Sequence, residues 1–124
     1  MKAPRHLLCR LADLPDGGSR ELRCPIDGGG LIALRRGRRV WLYRNQCPHL
    51  GLELDWVQDQ FLDHSGQFIQ CATHGALFEI DTGLCVAGPC VHQRLIPVPC
   101  SLRGDQVLLE RPPPAPLKDP SARP

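Results

Sequence analysis

Cys47-Pro48-His49-Leu50-Gly51 and Cys71-Ala72-Thr73-His74-Gly75 are the two stretches on which the reading of this chain turns. Each sets a thiol close to an imidazole, with a single residue between them in the first and a pair in the second. Thiolate and neutral imidazole both ligate transition metals, the sulfur being the softer donor. Two loops that each bring one of either kind supply two sulfur and two nitrogen ligands: Cys47, His49, Cys71 and His74. The residues between the cassettes read as a hairpin, Gln60–Leu62 and Gln67–Gln70 flanking the turn signal Asp63-His64-Ser65-Gly66. Antiparallel strands joined by a tight turn bring the chain back near its starting point. Ligands far apart in sequence can then meet at one centre.

Outward from the cassettes the pattern is short strands broken by turns, with no helical period. His6–Leu11 is a strand, followed by a turn at Pro15-Asp16-Gly17-Gly18 and a breaker at Asp27-Gly28-Gly29-Gly30. Leu31–Leu34 and Val40–Arg44 flank Arg35-Arg36-Gly37-Arg38-Arg39 as a hairpin, with Trp41 and Tyr43 on one face and Val40 and Leu42 on the other. After the second cassette come Leu77–Ile80, a turn at Asp81-Thr82-Gly83, and Leu84–Val86; Arg94–Val98 and Gln106–Glu110 close the domain through Arg103-Gly104-Asp105. Many short strands at this spacing predict an all-β sandwich or small barrel. The domain is expected to occupy residues 1–111. Six prolines among residues 112–124 make the remainder a disordered, solvated tail that cannot pair in a central strand.

A chain of 124 residues is one domain with a modest core. Aromatic content is only 5%, so a bound metal would help that core hold together. Net charge of +2 is too mild to imply nucleic acid. The start has no apolar run of signal-peptide length, and no stretch approaches the roughly 18 apolar residues that cross a bilayer. The expectation is a soluble, cytoplasmic protein with no membrane contact. Seven cysteines, an odd number at irregular spacing, argue against a disulfide framework. Cys9, Cys24, Cys85, Cys90 and Cys100 are then small buried apolar residues. Cys85 and Cys90 bracket one loop, but a reducing compartment disfavours a bond between them.

The Cys/His quartet has two chemical readings. Zinc accepts two Cys and two His, but usually from like pairs, two Cys in one knuckle and two His on a helix. One Cys and one His per loop suits a two-iron cluster better, with the thiolates on one iron and the imidazoles on the other. The cassettes resemble those of the Rieske family, C-x-H and C-x-x-H, and the likeness continues through His74-Gly75-Ala76-Leu77-Phe78, Asp81-Thr82-Gly83 and Gly88-Pro89, where that family places a loop covering its cluster. It spans roughly Leu7 to Glu110. The resemblance implies three stacked antiparallel sheets, a small cluster-binding subdomain around residues 46–90, and a [2Fe–2S] cluster held by Cys47, His49, Cys71 and His74. Two imidazoles in place of thiolates leave the oxidised cluster neutral instead of doubly negative, which makes it easier to reduce.

The resemblance also separates branches of the family. Cytochrome bc₁ and b₆f types carry an extra cysteine in each loop, where this chain has Leu52 and Thr73, and a serine where it has Ala76. Without that hydroxyl donor the reduced state is less favoured. A potential in the lower part of the roughly −150 to +300 mV Rieske range is expected. The oxygenase-associated branch implies a ferredoxin that carries single electrons from a reductase to a terminal oxidoreductase such as a ring-hydroxylating oxygenase. Alternatives are a redox subunit bound stably in a larger complex and a zinc-holding interaction protein. Oxygenase chemistry by the chain alone needs a mononuclear iron site of two His and a carboxylate, and only His6, His64 and His92 remain unassigned. Those three read as ordinary surface histidines. Arg35, Arg36, Arg38 and Arg39 read as a solvated hairpin edge, with docking of an acidic partner as the alternative. Trp41 and Trp56 read as core or edge-of-core residues.

Overall fold

The computed structural model describes residues 6–46, 61–71, 75–88, 91–110 and 113–114. In chain order the strands are β1 (His6–Arg10), β2 (Ser19–Arg23), β3 (Gly30–Arg36), β4 (Arg39–Arg44), β5 (Phe68–Gln70), β6 (Leu77–Glu79), β7 (Cys85–Ala87), β8 (Cys100–Arg103) and β9 (Gln106–Leu109). Among the described residues the one helical element is a single 3₁₀ turn, Leu11–Asp13, whose Asp13 carboxylate accepts from the Arg10 amide at 2.9 Å. The strands form three antiparallel sheets in the orders β1-β9-β8, β2-β3-β4 and β5-β6-β7. This is the three-sheet, all-β architecture expected.

The run Leu31-Ile32-Ala33-Leu34 explains how the sheets stack. All four residues are buried, and alternation along a strand sends neighbours to opposite faces. Leu31 and Ala33 join a core with Leu42, Val98, Val107 and Leu109, while Ile32 and Leu34 join another with Tyr43, Phe61, Ile69, Phe78 and Leu95. Sheet β2-β3-β4 is therefore the middle layer, with β1-β9-β8 on one face and β5-β6-β7 on the other. Trp41 packs with Tyr43 and Val40 with Leu42, so the two faces of β4 divide as the sequence predicts.

Three elements differ from the sequence reading. β2, Ser-Arg-Glu-Leu-Arg, has too little apolar character to signal a strand; it is an edge strand recruited by pairing with β3, from Ser19↔Leu34 to Arg23↔Gly30. Arg94–Val98 is not a strand but carries two isolated bridges, Leu84↔Arg94 and Tyr43↔Pro97. Pro97 has no N–H to extend a ladder. The strand that turns into β9 is instead β8, with Cys100↔Leu109 to Arg103↔Gln106 in register. Of the hairpin between the cassettes, the described part is present: Leu62 bridges Ile69 and the Asp63 amide donates to the Phe68 carbonyl at 3.0 Å.

The arginine-rich hairpin tip is more than a solvated edge. Arg35 donates to the carbonyls of Leu11 (3.3 Å) and Leu14 (3.0 Å), Arg36 to Gly66 (3.0 Å) and Arg38 to Gly104 (2.7 Å). Arg39 lies 4.7 Å over the Trp41 ring. The tip of the middle sheet thus clasps the turns of both outer sheets. Cys24 and Cys85 are buried as expected, whereas Cys9 and Cys100 are only half-buried beneath the first sheet. Burial, with Glu110 and Cys9 adding, pushes the Cys100 thiol up to about 11, and burial with Asp13 raises that of Cys9. Both stay protonated and weakly nucleophilic.

The middle and third sheets meet at Tyr43, whose hydroxyl donates to the Ile80 carbonyl. Gly83 adopts φ +73°, and a Cβ there would fall 2.7 Å from Tyr43 Cε1. Gly83→Ala is expected to lower the unfolding free energy by about 2 kcal/mol. Urea unfolding should show this as a lower midpoint with an unchanged slope.

Candidate metal centre

Of the four expected ligands, Cys71 lies among the described residues; Cys47, His49 and His74 lie outside them, as do Leu52, Thr73, Trp56, Pro89 and Cys90. Cys71 follows β5 directly and is fully buried against Phe61, Ile69, Ala76 and Phe78 in the second core. Its amide donates to the Ala76 carbonyl at 2.9 Å, and the Gly75 amide donates back to the Cys71 carbonyl at 2.7 Å. These bonds close the base of the second cassette just before β6 begins. His74 belongs to the span that they enclose.

The first cassette leaves from the end of β4. There the Arg44 amide donates to Ile96 at 2.9 Å, the Asn45 amide to Gly30 at 3.0 Å, and the Gln46 amide to Arg44 at 2.9 Å. The side chains are held as firmly. Arg44 is 1% exposed and meets both Asp27 carboxylate oxygens, at 3.1 and 2.6 Å. Asn45 Nδ2 donates to Glu21 at 2.7 Å. Hydrogen bonding from Arg44, then from the Gly29 amide, holds the Asp27 carboxyl far below the usual carboxylate range. Sequence reading missed this anchor. The available signal was an arginine closing an apolar strand, together with an aspartate in a glycine-rich turn.

A third loop packs on Ala76, just past the second cassette. Leu84 bridges Arg94, the Cys85 amide donates to Gln93 at 2.8 Å, and Cys85 Sγ donates to the Ala87 carbonyl at 3.2 Å. At its tip Gly88 has φ +97°, and a Cβ there would sit 2.7 Å from Ala76 Cα. Only glycine lets this loop approach so closely. Val86 and Val91 on the same loop are exposed, and His92 is the one described non-glycine residue with positive φ, at 78°. Ala76 is fully buried under Gly88 and brings no hydroxyl to the site.

The described residues thus place a buried thiol at the base of a braced loop, with a neighbouring loop packed on Ala76, in an all-β domain. The donor set fits an iron–sulfur cluster: Cys71 is buried in apolar surroundings, and the sequence brings one more thiol and two imidazoles on the segments that leave these two bases. Residues 5–103 match the model of the Rieske [2Fe-2S] domain, and the chain belongs to that family. Its cofactor is a [2Fe–2S] cluster. Among solved structures it is similar to a ferredoxin of Sphingomonas yanoikuyae B1, at 26% identity and TM-score 0.71, over 88% of this chain and 100% of that one. It is also similar to the ferredoxin of carbazole 1,9a-dioxygenase from Nocardioides aromaticivorans IC177, at 23% identity and TM-score 0.69, over 86% of this chain and 97% of that one. A third similar structure is a complex of reduced oxygenase and oxidised ferredoxin in carbazole 1,9a-dioxygenase, at 21% identity and TM-score 0.67, over 86% and 92%. No curated protein sequence matches. Among the described residues no helix is long and apolar enough to cross a membrane.

Two outcomes are expected. Folding lowers the Asp27 pKa well below 3.8, so its contribution to stability is full above about pH 5, begins to fall near the unfolded value and is lost only as the pH passes down through the folded one. The gap in unfolding free energy between the native chain and Asp27→Asn should therefore be widest at pH 6, still substantial at pH 3, and narrow steadily as the pH is taken lower, measured by denaturant titration. Gly88→Ala should force the covering loop off Ala76 and speed cluster loss roughly tenfold, followed by visible absorbance, while the far-ultraviolet circular dichroism stays unchanged.

Proposed function

We propose that this chain is a one-electron carrier, a Rieske-type ferredoxin that accepts from a reductase and donates to a terminal oxidoreductase such as a ring-hydroxylating oxygenase. The observation that carries this reading is the buried Cys71 on a loop base closed by paired hydrogen bonds, within a chain that matches the Rieske domain over residues 5–103. Likeness to whole ferredoxins, one of them in a structure with its oxygenase, supports the partner class. Cys47 and Cys71 would hold one iron, and His49 and His74 the other. When bound, the cluster supplies a one-electron couple. The chain's own part is to position the four ligands, to keep water from the Cys71 sulfur, and to offer no hydroxyl at Ala76. We further read one domain to Arg111, with residues 46–90 as its cluster-binding part, and 112–124 as a tail that touches the domain at Pro114. A cytoplasmic setting agrees with the free thiols of Cys9, Cys24 and Cys100.

The test is spectroscopic. Anaerobically reconstituted protein should be reddish-brown, contain acid-labile sulfide, give a rhombic electron paramagnetic resonance signal on reduction, and take up one electron per chain. Its midpoint should lie in the lower half of the roughly −150 to +300 mV range. Cys71→Ala or His49→Ala should abolish the visible spectrum. A midpoint near the upper limit, or a colourless protein with a full complement of zinc, would overturn the proposal.

A further inference from the structure

We infer that Arg44 and the carbonyl of Pro114 form a strap that braces the root of the first cluster loop, so that part of the proline-rich segment after Arg111 belongs to the cluster-holding structure. This rests on the reading of Cys47 and His49 as ligands, since Cys47 follows Arg44 by three residues. Arg44 Nε and one of its terminal nitrogens both donate to the Pro114 carbonyl, at 3.1 and 2.8 Å. Two further bonds of the guanidinium go to Asp27. A guanidinium has five N–H donors and loses its charge under no ordinary condition. Buried at 1% exposure, it needs acceptors on every side, because an unmet charged donor is costly away from water. Asp27 satisfies one edge and Pro114 the other.

The surroundings are shaped for this group. A Cβ on Gly29 would fall 2.8 Å from Arg44 Nη1, although Gly29 has no unusual φ. The glycine is there for room. The Gly29 amide also donates to Asp27 Oδ1 at 2.9 Å, and its carbonyl accepts from the Cys24 amide at 2.8 Å. Carboxylate, turn and guanidinium thus form one unit. Proline-rich chain suits the remaining acceptor: an extended polyproline segment makes no internal hydrogen bonds, so its carbonyls are open to a partner, and its stiffness lowers the cost of ordering it. The tie joins positions 70 residues apart and ends at the backbone from which the first cassette departs.

The experiment compares four proteins: the full chain, a chain ending at Arg111, a chain ending at Pro116, and Arg44→Met. Two rates are read, amide hydrogen exchange at Arg44 and Asn45, and bleaching of the visible spectrum by a chelator. Ending the chain at Arg111 should speed both about tenfold, the factor for one charge-assisted hydrogen bond, and leave exchange in β5, β6 and β7 unchanged. Ending it at Pro116 should restore the full-chain rates. Arg44→Met, which also strands Asp27, should speed both at least as much as the Arg111 truncation, and adding the truncation to it should change nothing further. Equal rates in the full and Arg111 chains, or effects of truncation and Arg44→Met that add in full, would overturn the strap. If the full chain binds no cluster at all, the ligand assignment fails by itself, and amide exchange still decides the strap.

Discussion

A hairpin that is apolar on both faces cannot lie against water on either one, and the rest of the molecule follows from that constraint. β3 buries Leu31, Ile32, Ala33 and Leu34, and β4 buries Leu42 and Tyr43. Each of the leucine and isoleucine side chains is worth roughly 1.5–3 kcal/mol when taken from water. Two further sheets are needed to collect that energy, one for each side. The first sheet covers Leu31 and Ala33 with Val107 and Leu109; the third covers Ile32 and Leu34 with Ile69 and Phe78.

The metal centre is a consequence of that frame. The first cassette starts where β4 ends in the middle sheet, and the second starts where β5 ends in the third. Because those sheets share one core, both bases are referenced to the same packed surface. Polar groups then fix the exits: the Cys71–Ala76 and Gly75–Cys71 bonds at one base, and Arg44, Asp27, Asn45 and Glu21 at the other. Cysteine roles divide by environment. Cys9 and Cys100 lie beneath the first sheet with their protons held on, while Cys71 sits in the second core at the mouth of a loop. The same side chain is half-buried packing in one place and the buried root of a cassette in the other.

Arginine acts as mortar in this protein more than as surface charge. Arg35, Arg36 and Arg38 reach from one hairpin tip to carbonyls on three other turns, and Arg44 does the same from inside. A planar fork of donors on a long stem can satisfy backbone oxygens that have no partner within their own turn. In a chain with few aromatic residues to thicken its cores, these long-range ties join layers that apolar contact alone would hold loosely.

What the linear chain determined was the chemistry and the class of fold. Two thiol–imidazole cassettes, glycine turns at regular spacing and the alternation of Trp41 and Tyr43 against Val40 and Leu42 are local patterns, legible because ligand type, turn chemistry and strand period depend on near neighbours. Tertiary structure alone decided the rest. β2 is a strand because β3 needs a partner, Arg94–Val98 bridges without pairing because proline lacks a donor, and Ala76 tolerates Gly88 because the covering loop lands there. Arg44 looked like the charged end of a strand until Asp27 and Pro114 were placed around it. Burial and hydrogen-bond partners of that kind are set by residues distant in sequence, and no local pattern encodes them.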